Sequence, residues 1–297
     1  MFRNRNILMC LAICGVVCYH LCLRGIPIGR LNVGYMGVDI FMLLSGYGIA
    51  KSLDRNSTKQ FYINRIRKII PLWLIMISAA YAIKLSGGVN LGIDVLLLNM
   101  TSLSFYYNPD LLPEWYLSTL IMFYVVSPLL KKLLEKYGWG LLILVGFAVV
   151  LEEEYFGNGR WQYMNAIARF PLYLCGMQCA ISNKVNLPYK VTVLLFFVSI
   201  AFFFQGLHYL FSTCAVFLVV QIANILIDKW GVLKNKLFNW IGSHTLEIYV
   251  GNTIAAEIAG QIFSPEMDVL IKVSVDIMMT IGLSLLLWKI NSQQLKV

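Results

Sequence analysis

The sequence predicts an all-α bundle of about ten transmembrane helices. Of its 297 residues 59% are hydrophobic and only 13% are charged, and the mean hydropathy is +0.72. Soluble domains are about 25% charged, so a soluble chain of this composition could not cover its apolar surface. A bilayer removes that requirement because the solvent itself is apolar. We therefore expect one membrane domain over residues 1–297, embedded in a lipid bilayer.

Ten apolar runs are long enough to cross a bilayer, and they set the helix count. They lie near 7–23, 33–50, 69–86, 115–130, 139–151, 165–182, 190–206, 208–227, 240–260 and 269–288. The stretch 88–112 is apolar only in part, which predicts a re-entrant or interfacial segment. The first run lacks a small-residue cleavage site, so we interpret it as a retained helix rather than a signal peptide.

The positive charges predict the orientation of these spans. With ten spans, most of the 24 Lys and Arg residues fall in segments on the same side as the N-terminus, and 51–68 is the largest basic block. Basic loops stay on the cytoplasmic side, so both termini are predicted to be cytoplasmic in a multi-pass protein of the plasma or inner membrane. The net charge of +9 therefore indicates orientation rather than a nucleic-acid partner.

Four of the seven cysteines recur every fourth residue along the first span: Cys10, Cys14, Cys18 and Cys22. Thiols spread over three helical turns, about 18 Å of rise, cannot all reach one ion. We expect small residues packing against a neighbouring helix, and no metal site.

Two ionisable residues in the first two spans are candidates for chemistry, because charge inside a bilayer is costly. His20 lies in the outer half of the first span and could accept a proton from a hydroxyl. The alternative is a packing histidine bonded to a neighbouring backbone carbonyl. Asp39 lies in the glycine-rich stretch 34–48, where it could orient a histidine, bind a ligand hydroxyl or cap a broken helix.

Further cations mark the third and sixth spans. Arg65, Arg67 and Lys68 precede Pro71 at the inner end of the third span. They could anchor the orientation, hold the phosphates of a cytosolic donor, or do both. Arg169 could snorkel to the outer interface or contact an anion or carbonyl in a cavity. A polar stripe on the ninth span also suggests a cavity wall: His244, Glu247, Asn252 and Glu257.

Four segments together resemble the membrane acyltransferase-3 family of bacterial cell-surface modifiers. They are the end of the first span, Val17-Cys-Tyr-His20; Gly37-Val-Asp-Ile-Phe-Met-Leu-Leu-Ser-Gly46; Phe61-Tyr-Ile-Asn-Arg-Ile-Arg-Lys-Ile-Ile-Pro71; and Trp115-Tyr-Leu-Ser118. The second segment is the most specific of the four. Weaker matches at 169–176 and 241–249 extend the resemblance over nearly the whole chain.

The resemblance implies an activity and roles for particular residues. Such proteins have about ten spans, take an acyl group from cytosolic acyl-CoA, usually acetyl-CoA, and place it on hydroxyls of surface carbohydrates. His20 matches the family's essential histidine, Arg65 and Lys68 match its basic pair, and Asp39 lies in its G-V-D segment. Three positions depart from common family residues, with Met9 in place of Arg, Leu120 in place of Glu and Asn252 in place of His.

We therefore expect an O-acetyltransferase that acts on a carbohydrate. The residues expected to carry the reaction are His20 and Asp39 as catalytic groups, and Arg65, Arg67, Lys68 and Arg169 as donor-binding groups. His20, aligned by Asp39, would remove the acceptor proton or carry the acyl group transiently, in one polar cavity shared with the basic cluster. The alternatives are a glycan exporter, which needs no inner basic cluster, and a family member that has lost activity.

Overall fold

The computed structural model describes residues 2, 4–24, 34–107, 115–156, 165–183, 188–231 and 234–294. These ranges form thirteen α-helices and contain no β-strand. In chain order the helices are α1 (Arg5–Leu23), α2 (Met36–Arg55), α3 (Thr58–Ser86), α4 (Ile93–Met100), α5 (Ser104–Tyr107), α6 (Trp115–Tyr137), α7 (Trp139–Phe156), α8 (Phe170–Ile181), α9 (Tyr189–Phe204), α10 (His208–Trp230), α11 (Lys236–Ser243), α12 (Thr245–Ile262) and α13 (Val269–Gln294).

The helices have the lengths and composition of a polytopic membrane bundle. Five of them, α1, α3, α6, α10 and α13, are long and apolar enough to cross a membrane, and parts of α7 and α9 form shorter apolar helices. Large apolar side chains are exposed along the bundle, for example Phe147 at 63% and Met278 at 63%. Such a surface suits lipid rather than water. The predicted all-α membrane bundle is confirmed.

Two predicted spans are broken rather than continuous. The run 240–260 divides at His244 into α11 and α12, and the run 165–182 unwinds at Ala168 and Arg169 before α8 begins. Pro171 lies at the start of α8, where its missing N–H costs least. The 12 residues of α8 rise about 18 Å, less than the bilayer core of about 30 Å.

The segment predicted to be re-entrant or interfacial contains the short helices α4 and α5, and its residues 108–112 lie outside the described ranges. Trp73 Nε1 of α3 donates to the Met100 carbonyl at 3.2 Å, and Ser104 Oγ donates to Asn99 Oδ1 at 2.7 Å. With 8 and 4 residues, α4 and α5 are each too short to span, in agreement with the prediction.

Glycines bring α2 and α8 into backbone contact at the centre of the bundle. A Cβ on Gly46 would lie 2.0 Å from the Tyr173 carbonyl oxygen, and one on Gly176 would lie 2.1 Å from the Leu43 carbonyl oxygen. Without a hydrophobic driving force between helices in lipid, close packing of small residues is a main source of association. This contact fixes the position of α8, and therefore of Arg169 just before it.

Replacing Gly46 with alanine is expected to destabilise the bundle by about 1–3 kcal/mol, because the new methyl group forces the two backbones apart. The matched control is Gly146→Ala in α7, where a Cβ meets no atom within 4 Å. Alanine is the better helix former, so the control should be neutral or slightly stabilising. Thermal unfolding of the purified protein in detergent measures both, and equal midpoints for the two variants would contradict the assignment of this contact.

Candidate active site

A cavity of about 1100 Å³ lies at one end of the bundle, between α1, α2, α3, α6 and α12. The charge distribution predicts that this end is external, and we call the cavity the outer cavity. Aromatic side chains contribute much of its wall: Tyr19, Tyr35, Trp115, Tyr116 and Tyr249. Polar side chains that line it include His20, Arg24, Lys84, Asn165, Arg169 and Glu257. Aromatic walls with a few convergent polar groups are usual in small-molecule sites.

His20 reaches the outer cavity from the last turn of α1. Its Nδ1 lies 2.6 Å from Asn252 Oδ1 of α12, and its ring centroid lies 6.4 Å from that of Tyr249. The ring therefore lines the cavity instead of facing lipid. The side chain that holds His20 is Asn252, which corrects the expectation that Asp39 aligns it.

Asp39 pairs with Arg169 instead. Arg169 Nε lies 2.9 Å from Asp39 Oδ1, and the two side chains are 2% and 0% exposed. Arg169 Nη1 also donates to the Asn165 carbonyl at 2.8 Å, and its guanidinium lies 5.0 Å from the centre of the Trp115 ring. Arg169 lines the cavity and Asp39 does not. Asp39 thus holds a cation in the cavity wall and is not itself placed to touch a substrate there.

Helix geometry explains why Asp39 faces away from His20. A Cβ on Gly37 would lie 2.3 Å from the Ala12 carbonyl oxygen, so this face of α2 packs on α1. Asp39, two residues later, is rotated by about 200° from that face. Asp39 also lies seven residues before Gly46, which corresponds to nearly two full helical turns. It therefore lies on the face of α2 that packs on α8.

Ion pairs surround the mouth of the outer cavity. Asp276 accepts from Arg24 Nη1, and Lys84 Nζ lies 3.2 Å from Glu257 Oε2. With Arg169 on Asp39, each of the three cations lining the cavity in the described ranges has a carboxylate partner. The described wall therefore carries little net charge.

A second polar group, which we call the inner basic cluster, lies at the opposite end of the bundle and consists of Arg5, Arg65 and Lys68. Lys68 interacts electrostatically with both arginines and with Glu247 of α12. The guanidinium of Arg65 lies 5.6 Å from the centre of the Tyr124 ring. The Nε atoms of Arg5 and Arg65 are buried without a hydrogen-bond partner among the described residues. Three cations beside one carboxylate leave an excess of positive charge that suits an anion.

Arg67 lies outside the inner basic cluster, contrary to the expectation that it joins Arg65 and Lys68. Its side chain is exposed, whereas those of Arg65 and Lys68 are partly buried. Residues three apart share a helix face, but Arg67 is two residues from Arg65 and so points to the other side of α3.

Comparison with known proteins shows which family the chain belongs to. The profile of the acyltransferase-3 family, described as an acyltransferase domain, matches residues 6–289. The chain belongs to this family. Nearly all of it is an acyltransferase domain of this family.

One curated relative of this acyltransferase is the peptidoglycan O-acetyltransferase OatA of Listeria monocytogenes, which is 39% identical over 77 residues. The matched stretch covers 24% of this chain and 12% of the relative's length. No solved structure matches the chain.

The two polar sites of this acyltransferase are separate, which corrects the expectation of one shared cavity. The described lining of the outer cavity includes neither Arg65 nor Lys68. The lining ends at Tyr116 on α6 and Tyr249 on α12, whose ring centroids lie 4.9 Å apart. Tyr124, beside the inner basic cluster, is eight residues or about 12 Å further along α6 than Tyr116. Tyr116 therefore lies between the outer cavity and the inner basic cluster along α6.

Two residues of these sites were not recognised as such in the sequence. The sequence places Asn252 in a polar stripe that suggests a cavity wall but does not pair it with His20, and it indicates no role for Arg5 beyond orientation. The sequence does carry a signal for Arg5, because it begins a span on the same predicted side as Arg65 and Lys68. The Arg5 side chain lies beside Gly48 of α2, where a Cβ would be 3.5 Å from Arg5 Nη2, an ordinary van der Waals contact.

Proposed function

We propose that this acyltransferase moves an acetyl group from cytosolic acetyl-CoA to a hydroxyl of a carbohydrate on the outer side of the cell membrane. The observation that carries the proposal is His20, held by Asn252 at the wall of an aromatic cavity with Arg169 in the same wall. A neutral imidazole and a fixed cation in one cavity suit proton removal and stabilisation of a developing negative charge.

The shape and chemistry of the outer cavity favour a carbohydrate acceptor. Five of its aromatic side chains present rings on which the apolar faces of sugars pack, while tyrosine hydroxyls offer hydrogen bonds. Because the described wall carries little net charge, it suits a neutral hydroxyl-bearing group. The relative named above is described as acting on peptidoglycan, a carbohydrate-containing polymer.

The inner basic cluster favours a phosphorylated donor. Arginine binds phosphate through two parallel N–H groups, and lysine binds it as a point charge. The buried Nε atoms of Arg5 and Arg65 that lack partners are suited to such a ligand. The long arm of coenzyme A would then carry the thioester past the Tyr116–Tyr249 layer towards His20.

The reaction would proceed by direct transfer. His20 Nε2 takes the proton of the acceptor hydroxyl while the hydroxyl oxygen attacks the thioester carbonyl. A C–O bond forms, the C–S bond breaks, and the coenzyme A thiolate leaves and receives the proton from His20. Arg169 stabilises the negative charge that develops on the carbonyl oxygen.

Washed membranes containing the overexpressed protein test this proposal. With acetyl-CoA we expect release of the coenzyme A thiol above that of control membranes, and surface glycans of the expressing cells should gain acetyl groups on hydroxyls by mass spectrometry. Parallel assays with succinyl-CoA and longer acyl-CoA donors show which acyl group the protein transfers. Thiol release without a modified glycan would contradict the proposed carbohydrate acceptor. The absence of thiol release with every acyl-CoA would contradict the proposed donor.

Removing a charge from the inner basic cluster is expected to weaken donor binding. Arg65→Gln and Lys68→Gln should each raise the KM for acetyl-CoA about 10- to 100-fold, since a hydrogen bond to a charged group is worth about 1.5–3 kcal/mol. Arg67→Gln is the matched control on the same helix and should change this KM less than about twofold, because its side chain is exposed. Equal effects at all three positions would indicate a general electrostatic effect rather than a donor site.

A further inference from the structure

Three polar side chains form a hydrogen-bonded chain that runs from the outer cavity to α13. His20 Nδ1 lies 2.6 Å from Asn252 Oδ1, and Asn252 Nδ2 donates to Thr280 Oγ1 at 3.1 Å. Asn252 is fully buried and Thr280 is 6% exposed. The three residues come from α1, α12 and α13, so tertiary packing alone brings them together.

A glycine next to Asn252 makes this contact possible. A Cβ on Gly251 would lie 2.7 Å from Ser284 Oγ and 2.9 Å from the Ser284 backbone nitrogen, so α12 and α13 touch closely at this level. Ser284 Oγ in turn donates to the Thr280 carbonyl at 2.5 Å. Thr280 is thereby fixed against α12, within reach of the Asn252 amide.

The amide of Asn252 has one accepting end and one donating end, and the two ends have different partners. Because its nitrogen donates to Thr280, its oxygen faces His20 and can only accept a hydrogen bond. With the amide in this orientation, His20 carries its proton on Nδ1. The lone pair is then on Nε2, for which the described residues provide no hydrogen-bond partner.

We propose that Asn252 and Thr280 are positioning residues that hold His20 as the Nδ1–H tautomer, with Nε2 free to accept a proton in the outer cavity. The catalytic consequence rests on the proposed function. An uncharged amide orients the ring without drawing a proton onto Nε2, so His20 stays neutral until the acceptor hydroxyl arrives. The Cys-His-Asn arrangement of some proteases uses an asparagine in the same way.

Paired substitutions separate this role from simple packing. Asn252→Leu keeps the volume but removes the accepting oxygen, and Thr280→Val does the same for the hydroxyl. We expect Asn252→Leu to lower kcat about 100-fold or more with little change in the KM for acetyl-CoA, and Thr280→Val to lower kcat about 10-fold, within the range for loss of a general base. Asn252→Asp and Thr280→Ser keep the accepting oxygen and the hydroxyl, so each should retain more activity than the Leu or Val variant at the same position.

A buried asparagine far from the outer cavity provides the control for these variants. Asn224 of α10 is 9% exposed and donates to the Val220 carbonyl at 2.8 Å. Asn224→Leu should reduce the amount of folded protein but leave kcat per folded molecule within about twofold. An equal fall of kcat in Asn224→Leu and Asn252→Leu, or no more activity in Asn252→Asp than in Asn252→Leu, would overturn the positioning role.

The tautomer can be observed directly, independently of activity. The chain has 3 histidines, so a His208→Gln/His244→Gln protein labelled with ¹⁵N-histidine gives the spectrum of His20 alone. We expect a protonated Nδ1 and an unprotonated Nε2, and a mixture of tautomers after Asn252→Leu. A proton on Nε2 in the unsubstituted site would overturn the inference. If membranes transfer no acetyl group, the proposed function fails, and the spectrum still decides the tautomer.

Discussion

Replacing His20 with glutamine is expected to lower acyl transfer by about 10²- to 10⁴-fold, the usual contribution of a positioned general base. Glutamine keeps a polar side chain of similar reach, so it can still accept or donate a hydrogen bond near Asn252, but it cannot take up the acceptor proton. The loss should therefore appear in kcat, with the KM for acetyl-CoA changed much less. Release of the coenzyme A thiol by membranes matched for protein amount measures it.

His244→Gln is the control for the His20 variant. His244 lies at the junction of α11 and α12, with its Nδ1 2.8 Å from the Trp240 carbonyl oxygen and its ring beside Trp240 and Trp288. It does not line the outer cavity, so its replacement should at most lower the amount of folded protein and leave transfer per folded molecule unchanged. Full transfer by His20→Gln, or an equal loss in His244→Gln, would remove His20 from the reaction.

The fold was predictable from sequence because a bilayer imposes a simple requirement on each span, a long apolar run. The same requirement hides helix breaks, since hydropathy averaged over a whole span does not register where α8 begins after Arg169 or where α11 ends before His244. Pro171 signals the first break. At the second, the sequence contains neither proline nor a charged residue.

The candidate residues stand out one by one in the sequence, but their partners do not. His20, Arg65, Lys68 and Arg169 stand out because ionisable groups within spans are costly and rare. Their partners depend on how the helices rotate about their axes, and His20 and Asn252 are 232 residues apart in the chain. Glycine spacing carries part of that information. The positions of Gly37 and Gly46, once assigned to α1 and α8, direct Asp39 towards Arg169.

Asp39→Asn is expected to destabilise the protein by about 3–5 kcal/mol, because it leaves the buried Arg169 guanidinium without its counter-charge. Ser212 of α10 also makes a polar contact with this carboxylate, so the substitution disturbs more than one helix. Asp54→Asn is the control on the same helix. Asp54 is 42% exposed and pairs with Lys131 at 2.8 Å, and an exposed pair of this kind contributes about 0.2–1 kcal/mol.

The double variant Asp39→Leu/Arg169→Met decides whether the ion pair supports the fold or the reaction. Replacing both charges by apolar side chains leaves no unpaired charge, so the free energy of unfolding should return close to that of the unsubstituted protein. Transfer should stay low, since no cation then lies in the cavity wall beside Trp115 to stabilise the developing oxyanion. Unfolding in mixed detergent micelles measures the first quantity and thiol release the second. Recovery of both would show that Asp39 and Arg169 act only in packing, whereas stability without transfer assigns Arg169 to the chemistry and Asp39 to holding it there.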